Sequence, residues 1–246
     1  MKGPRRALSL SFDVEPDAPP YLNTLRGVDE GLPRLLDLLD ELRVRATFFF
    51  DAKVAEGRER LVKEVVDRGH ELGSHGYGHV RLDRVSREEA LSLIDRSLRT
   101  LRRFSEVVSF RAPNLKLPWP LLKDLVTLGV EVDSSVASYK PPFVRQPFCD
   151  RNLLRVPVSV TSSVLRVPYS HELLRLTPRS NYIVLFAHPW EFVKLRHWRP
   201  DIWLWTGPGL YLKLKNIVKA YVKQGYDVIT IREARGLVIR CGDGEA

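Results

Sequence analysis

Short apolar runs, bounded by polar or glycine-containing turns, alternate along the whole chain with longer stretches whose apolar residues recur every three or four positions. The first pattern predicts buried strands and the second predicts amphipathic helices. Strands are expected at Ala7–Val14, Arg45–Phe50, His70–Ser74, Val107–Arg111, Val130–Ser134, Tyr182–Ala187 and Tyr226–Ile231. Helices are expected at Val28–Leu42, Lys53–Arg68, Arg87–Phe104, Pro120–Leu128 and Leu210–Gln224. Leu32, Leu35, Leu36, Leu39 and Leu42 share one face of the first helix, and Val54, Leu61, Val62, Val65 and Val66 share one face of the second. This alternation implies crossover units around a parallel sheet, and 246 residues suffice for one α/β barrel with a sizeable core. The rhythm fails between Tyr139 and Ser180, where prolines and the β-branched segments Arg155–Val160 and Ser163–Val167 replace a crossover helix. A β-hairpin inserted near residues 139–180 is expected there, within a single domain spanning 1–246.

Composition narrows the picture. Hydrophobic residues at 44% and charged residues at 28% exclude a disordered chain. The formal charge of +9 is spread among interspersed acids, and no nucleic-acid-binding motif occurs, so no nucleic-acid partner is expected. Cys149 and Cys241 are far apart and are expected as free thiols. The basic N-terminus precedes an apolar stretch too short for a secretory signal, and no run approaches a membrane span, which predicts a cytoplasmic protein. Arginine supplies 28 of 39 cations, while Asn, Gln, Cys and Met total only ten, a balance that leans toward a thermophilic source.

Chemistry gathers where the strands end, as parallel α/β architectures require. The first strand closes Ser11-Phe12-Asp13-Val14-Glu15, and residues two apart on a strand share a face, so Asp13 and Glu15 project together. Two carboxylates held together repel unless a metal or an arginine neutralises them. The third strand runs into His75-Gly76-Tyr77-Gly78-His79, where a tight glycine-containing loop would let two imidazoles chelate a divalent metal. Two histidines and one carboxylate leave coordination positions open, which suits hydrolysis, and the other carboxylate is free to act as base. Arg111, ending the fourth strand, is placed to hold that base through a bidentate salt bridge. His188, after Tyr182–Ala187, is placed to protonate a leaving amine, and Asp133 either tunes that histidine or caps a loop.

Taken in order, Ser11–Glu15, Ala46–Phe50, His75–His79, Phe110–Pro113 and Leu185–His188 resemble the successive motifs of the polysaccharide deacetylases, the NodB-homology or carbohydrate esterase family 4 group. The resemblance covers about residues 8–231. It implies a distorted (β/α)7 barrel that hydrolyses an N-acetyl group or a related amide with a divalent metal, zinc first, with cobalt, manganese or nickel as alternatives. It makes Asp13 the general base, His75 and His79 metal ligands, Arg111 the orienting residue and His188 the general acid. The family's usual first motif has two adjacent aspartates, the second a ligand, and Val14 stands in that place here. Glu15 is therefore the expected third ligand, with Asp17 or a water as fallback.

The resemblance also implies that the backbone N–H of Asn114, where many members have an aromatic residue, binds the oxyanion, and Tyr77 and Trp190 are expected among the substrate-binding residues. Four of the five tryptophans fall between Pro189 and Tyr211, mixed with Arg196, His197 and Arg199. This segment, 190–205, would wall a sugar site or touch a membrane interface. The expected substrate is an N-acetylated sugar, or a glycan or lipid precursor containing one. A cyclic ureide, or binding of carbohydrate or lipid without catalysis, are the alternatives.

Overall fold

A computed structural model of the chain describes residues 6–22, 24–141, 143–170 and 180–237. The strands are β1 (Ala7–Val14), β2 (Thr47–Phe50), β3 (Glu71–Ser74), β4 (Ser109–Phe110), β5 (Val132–Asp133), β6 (Phe148–Asp150), β7 (Leu153–Arg155), β8 (Tyr182–Ala187) and β9 (Asp227–Val228). They lie in the order β6-β7-β5-β4-β3-β2-β1-β8, all neighbours parallel except the β6–β7 hairpin. Beyond β7 the chain runs on to bridge β8, Val160 against Leu185, and the sheet thereby curls into an α/β barrel. Helices pack outside it: α1 (Leu32–Leu42), α2 (Ala52–Glu56), α3 (Glu59–Asp67), α4 (Arg87–Leu101), α5 (Leu121–Thr127), α6 (Ser162–Arg166), α7 (Pro200–Trp203) and α8 (Gly209–Lys223).

The period of two in β1 sorts its side chains. Leu8, Leu10, Phe12 and Val14 join the large cluster under the helices with Leu32, Leu35, Leu36 and Leu39. Ala7 joins the inner cluster with Phe49, Val132, Leu154, Tyr182 and Val184. Ser9, Ser11 and Asp13 share the inward face with Ala7, and burial obliges each to find a partner. Ser9 bonds the Tyr182 hydroxyl at 2.7 Å. Below the site, the Glu71 carboxylate accepts from Thr47 Oγ1, Ser109 Oγ and the Arg232 N–H, so the barrel interior is a bonded polar network between apolar layers.

Four expectations require correction. The hairpin lies within the predicted insertion but is made by Phe148–Asp150 and Leu153–Arg155, while Ser162–Arg166 is helical. Its second strand, and not Tyr226–Ile231, joins the ring, and β9 pairs only with Ala7 and Leu8 of β1. The helix expected over Lys53–Arg68 is two, because Asp51 caps α2, Gly57 ends it, and Arg58 turns out to pair with Asp29 at 3.0 Å. Cys149 is disulfide-bonded, not free, and Cys241 lies outside the described residues. Among the described residues, no helix is long and apolar enough to cross a membrane.

Candidate active site

The inward positions of β1, β3, β4 and β8 converge at the C-terminal mouth of the barrel. Glu15 is 4% exposed, and its Oε2 lies 3.1 Å from His75 Nε2 and 2.8 Å from His79 Nε2. Asp17, the fallback, is spoken for: its carboxylate accepts from Thr24 Oγ1, Arg26 N and Gly27 N, closing the turn that leads into α1. Val14 points into the apolar cluster on the helix side, and Glu15 regains the inward face two residues after Asp13.

The loop between the two histidines is not a helical turn. Gly76, Gly78 and His79 have φ of 74°, 68° and 52°, left-handed values that glycine adopts without strain and that fold His79 back over His75, ring centroids 5.5 Å apart. Asp51, at the end of β2, holds the loop: its Oδ1 accepts from Gly78 N at 2.7 Å and from Lys53 N at 2.9 Å. The buried Asp51 carboxyl is pushed up by desolvation. His75 Nδ1 donates to the Arg111 carbonyl at 2.8 Å, which turns Nε2 toward Glu15.

These three residues offer donor atoms that all lie within 4.8 Å of one another. With two Nε2 atoms converging on one carboxylate oxygen, and one imidazole already oriented by a carbonyl, the set fits a divalent ion. Burial raises the Glu15 pKa, but His188, His75 and His79 outweigh it and hold the carboxyl well below the usual range. Burial opposes a charge on His75, yet Asp13 and Glu15 raise its pKa.

Asp13 stands beside this cluster, Oδ2 3.5 Å from His75 Nε2. Arg111 is completely buried and donates from Nη1 to Asp13 Oδ1 at 2.8 Å. The expected bidentate bridge does not form, because Nη2 is taken by Ser11 Oγ and Ser134 Oγ, both at 2.9 Å, and Nε by the Ser134 carbonyl. The guanidinium also lies over the rings of Phe49 and Phe186, 4.3 and 4.9 Å from their centroids.

His188 lies against the other Glu15 oxygen, Nε2 3.5 Å from Oε1. Its Nδ1 is 3.4 Å from Glu191 Oε2, and its backbone N–H donates to the same oxygen at 3.0 Å. Burial lowers the His188 pKa, but Glu15 and Glu191 outweigh it and push it up to about 9. Asp133 is not the tuning group: its carboxylate is held by Arg155 Nε at 2.6 Å and by Ser135. Glu191 is in turn paired with Arg166 at 3.1 Å. The i,i+3 spacing of His188 and Glu191 across Pro189 is a helix-start pattern, and that pattern was the available sequence signal for Glu191. Asp51 had none beyond its place at a strand end.

Two expected substrate contacts sit elsewhere. Trp190 is 7% exposed and stacks on the His188 ring at 5.0 Å, so it backs the histidine and does not face the open mouth. Tyr77 turns outward, its hydroxyl donating to Glu56 and its ring under Arg96. Asn114 is exposed in the turn after β4, with a left-handed φ of 57°.

This barrel and this constellation define a class: a histidine and carboxylate cluster at the C-terminal strand ends of a parallel α/β barrel. The family model described as polysaccharide deacetylase matches residues 1–132, and the chain belongs to that family. Over 98 residues it is 32% identical to the peptidoglycan-N-acetylglucosamine deacetylase of Bacillus cereus, an alignment covering 40% of this chain and 32% of that protein. The chain thus aligns with about a third of the length of that curated relative. The fold is shared with a Mycobacterium smegmatis protein assigned to the polysaccharide deacetylases, at TM-score 0.72 and 22% identity over 96% of this chain and 91% of that one. A carbohydrate esterase family 4 pseudoenzyme from Bacillus anthracis superposes at TM-score 0.63 and 17% identity, covering 94% of this chain and 65% of that one.

Proposed function

We propose that this protein is a metal-dependent N-deacetylase that hydrolyses the acetamide of an N-acetylated sugar, free or within a glycan or lipid-linked precursor. The observation that carries this reading is the meeting of Glu15, His75 and His79 within 4.8 Å, with the Asp13–Arg111 pair and His188 both against the cluster. Glu15, His75 and His79 would hold the ion, zinc by the nitrogen-rich donor set. A divalent ion there acidifies water and polarises a carbonyl.

The chain's own groups divide the proton traffic. Asp13 has one oxygen anchored by Arg111, leaving Oδ2 to accept a proton from the attacking water as its oxygen bonds to the acetamide carbon. The Asn114 N–H is assigned to the resulting oxyanion, a kind of donor worth about 2.7–4 kcal/mol in other hydrolases. His188, whose ring nitrogen Nδ1 faces the Glu191 carboxylate, gives its proton to the departing nitrogen as the C–N bond breaks, leaving acetate and a free amine. Glu191 and Trp190 are positioning residues for that ring.

A cytoplasmic location is part of the same reading. The disulfide at Cys149 is compatible with it in a thermophilic source, since intracellular proteins of hyperthermophiles carry such bonds.

The test is acetate release from N-acetylglucosamine oligomers by zinc-loaded protein, with metal content measured in parallel. Wild type should bind one ion and release acetate. Glu15→Gln should weaken zinc binding by more than about a hundredfold, beyond the loss usual for an outer-shell partner. His188→Ala should lose turnover with the fold intact, and Asp13→Asn should lose turnover while also lowering stability, because it leaves the buried Arg111 guanidinium without its carboxylate. Ammonia release from cyclic ureides without acetate would move the substrate to that class, and neither product with no bound ion would leave a non-catalytic barrel.

A further inference from the structure

The loop that follows His188 carries chemistry the hydrolytic site does not use. From Val193 to Trp198 the chain is neither helix nor strand, and its burial alternates: Val193 and Leu195 are each 3% exposed and pack with Ala18, Trp190 and Ile202, while Lys194, Arg196 and Trp198 are exposed. With a period of two, these three side chains share the solvent side. Trp198 is 82% exposed, an extreme value for the residue with the largest apolar surface. Its ring adjoins His197, which adjoins Tyr21, 47% exposed and covered in part by Arg199. Trp205, 50% exposed, lies two residues before Gly207, whose backbone packs on Lys194.

The charge on this face is one-sided. From Val193 to Trp205 the loop carries Lys194, Arg196 and Arg199 against a single acid, Asp201. Asp201 is bound by Arg199, and the nearby Glu30 is bound by Arg26. Among the described residues Lys194 and Arg196 have no ion-pair partner, so their charge is not cancelled locally. Tyr21 lies six residues beyond Glu15 and Trp198 ten beyond His188, on loops leaving the same barrel ends as the site. Val193 and Leu195 pack with Trp190, whose ring stacks on His188, so the loop that carries this face adjoins the site.

We propose that this face docks the protein on an anionic lipid surface, with Trp198, Trp205 and Tyr21 entering the headgroup region and Lys194 and Arg196 meeting the lipid charge. Exposed tryptophan and tyrosine flanked by uncompensated cations match the interface between headgroups and acyl chains, where each ring has an apolar body and a polar edge. A soluble polyanion would use the cations but leave the rings in water, which is why a lipid surface is the better occupant. This extends the proposed deacetylation by placing the mouth at a membrane, where a lipid-linked N-acetylated sugar would be presented.

The experiment is sedimentation of the intact protein with phosphatidylglycerol/phosphatidylcholine vesicles and with pure phosphatidylcholine vesicles, at low and high salt, with tryptophan emission read in the same samples. The expected result is binding to the anionic vesicles only, weakened at high salt, with a blue shift of emission. Lys194→Glu/Arg196→Glu should weaken binding by at least about tenfold, as expected for charges worth several-fold each near such a surface. Trp198→Ser should weaken binding and lose most of the blue shift. Both variants should release acetate from a soluble N-acetylated sugar at the wild-type rate. No vesicle binding, or binding without a blue shift that heparin fully competes away, would overturn the proposal. Because vesicle binding is read without turnover, an inactive but vesicle-bound protein would refute the deacetylase reading alone.

Discussion

Arg111 offers the sharpest test of how the site is held together. It is fully buried, donates to Asp13 Oδ1, Ser11 Oγ, Ser134 Oγ and the Ser134 carbonyl, and lies over Phe49 and Phe186. Replacing it with methionine keeps volume and apolar contact but leaves the Asp13 carboxylate, 2% exposed, without its cation. Breaking a buried pair in this way costs about 3–5 kcal/mol, because the remaining charge stays desolvated. Asp13→Asn strands the guanidinium in the same sense, softened by the two serines. The double variant removes both charges, so its loss should fall short of the sum of the single losses by about 2–3 kcal/mol, the upper range for residues in contact. Urea unfolding of metal-free protein followed by circular dichroism measures all four corners of the cycle. Additivity within about 0.5 kcal/mol would falsify the claim that the pair is the main interaction fixing Asp13. Arg111→Lys should be nearly as damaging as methionine, since one ammonium cannot span Asp13, Ser11 and Ser134 at once.

Other consequences are as direct. Glu191→Gln removes the carboxylate behind His188, and kcat should fall about tenfold or more with KM little changed, while Glu191→Asp recovers part of the loss. His70 is buried, with Nδ1 accepting from Ala46 N, and burial lowers its pKa from 6.5 to about 4. Unfolded chains therefore take up the proton first as pH drops. Its contribution is intact above pH 6.5 and is lost between pH 6.5 and 4, at most about 3 kcal/mol, and His70→Gln should flatten that part of the stability profile. Gly27→Ala would put a methyl carbon 2.3 Å from the backbone of Trp190, so the loop behind His188 must shift. Its midpoint in urea should fall by an amount equal to at least about 1–3 kcal/mol.

Much of the site was legible because strands obey a period of two. Once Ala7–Val14 is a strand, Asp13 and Glu15 must share a side and Val14 must oppose them, whatever surrounds them. The histidine loop was legible for a similar local reason, since glycines at 76 and 78 permit the left-handed turns that bring His79 back to His75. The partners of these residues were less so. Asp133 ends a strand as expected, but its carboxylate goes to Arg155, a residue of the hairpin whose place in the ring no local pattern revealed. Trp190 reads as a sugar platform in a row of tryptophans, and only packing turns it under His188.

The chain's own order of residues thus determined which side chains could share a face and which strand ends could bear chemistry, because backbone periodicity is a local property. Tertiary structure alone decided which charge meets which: that Arg111 divides its fork among Asp13, Ser11 and Ser134, that Asp133 goes to Arg155, and that Arg166 meets Glu191 behind His188. Those choices rest on distances between segments as many as 100 residues apart. In a buried interior each polar group must find a partner, and which partner is within reach depends on how the strands close into a ring.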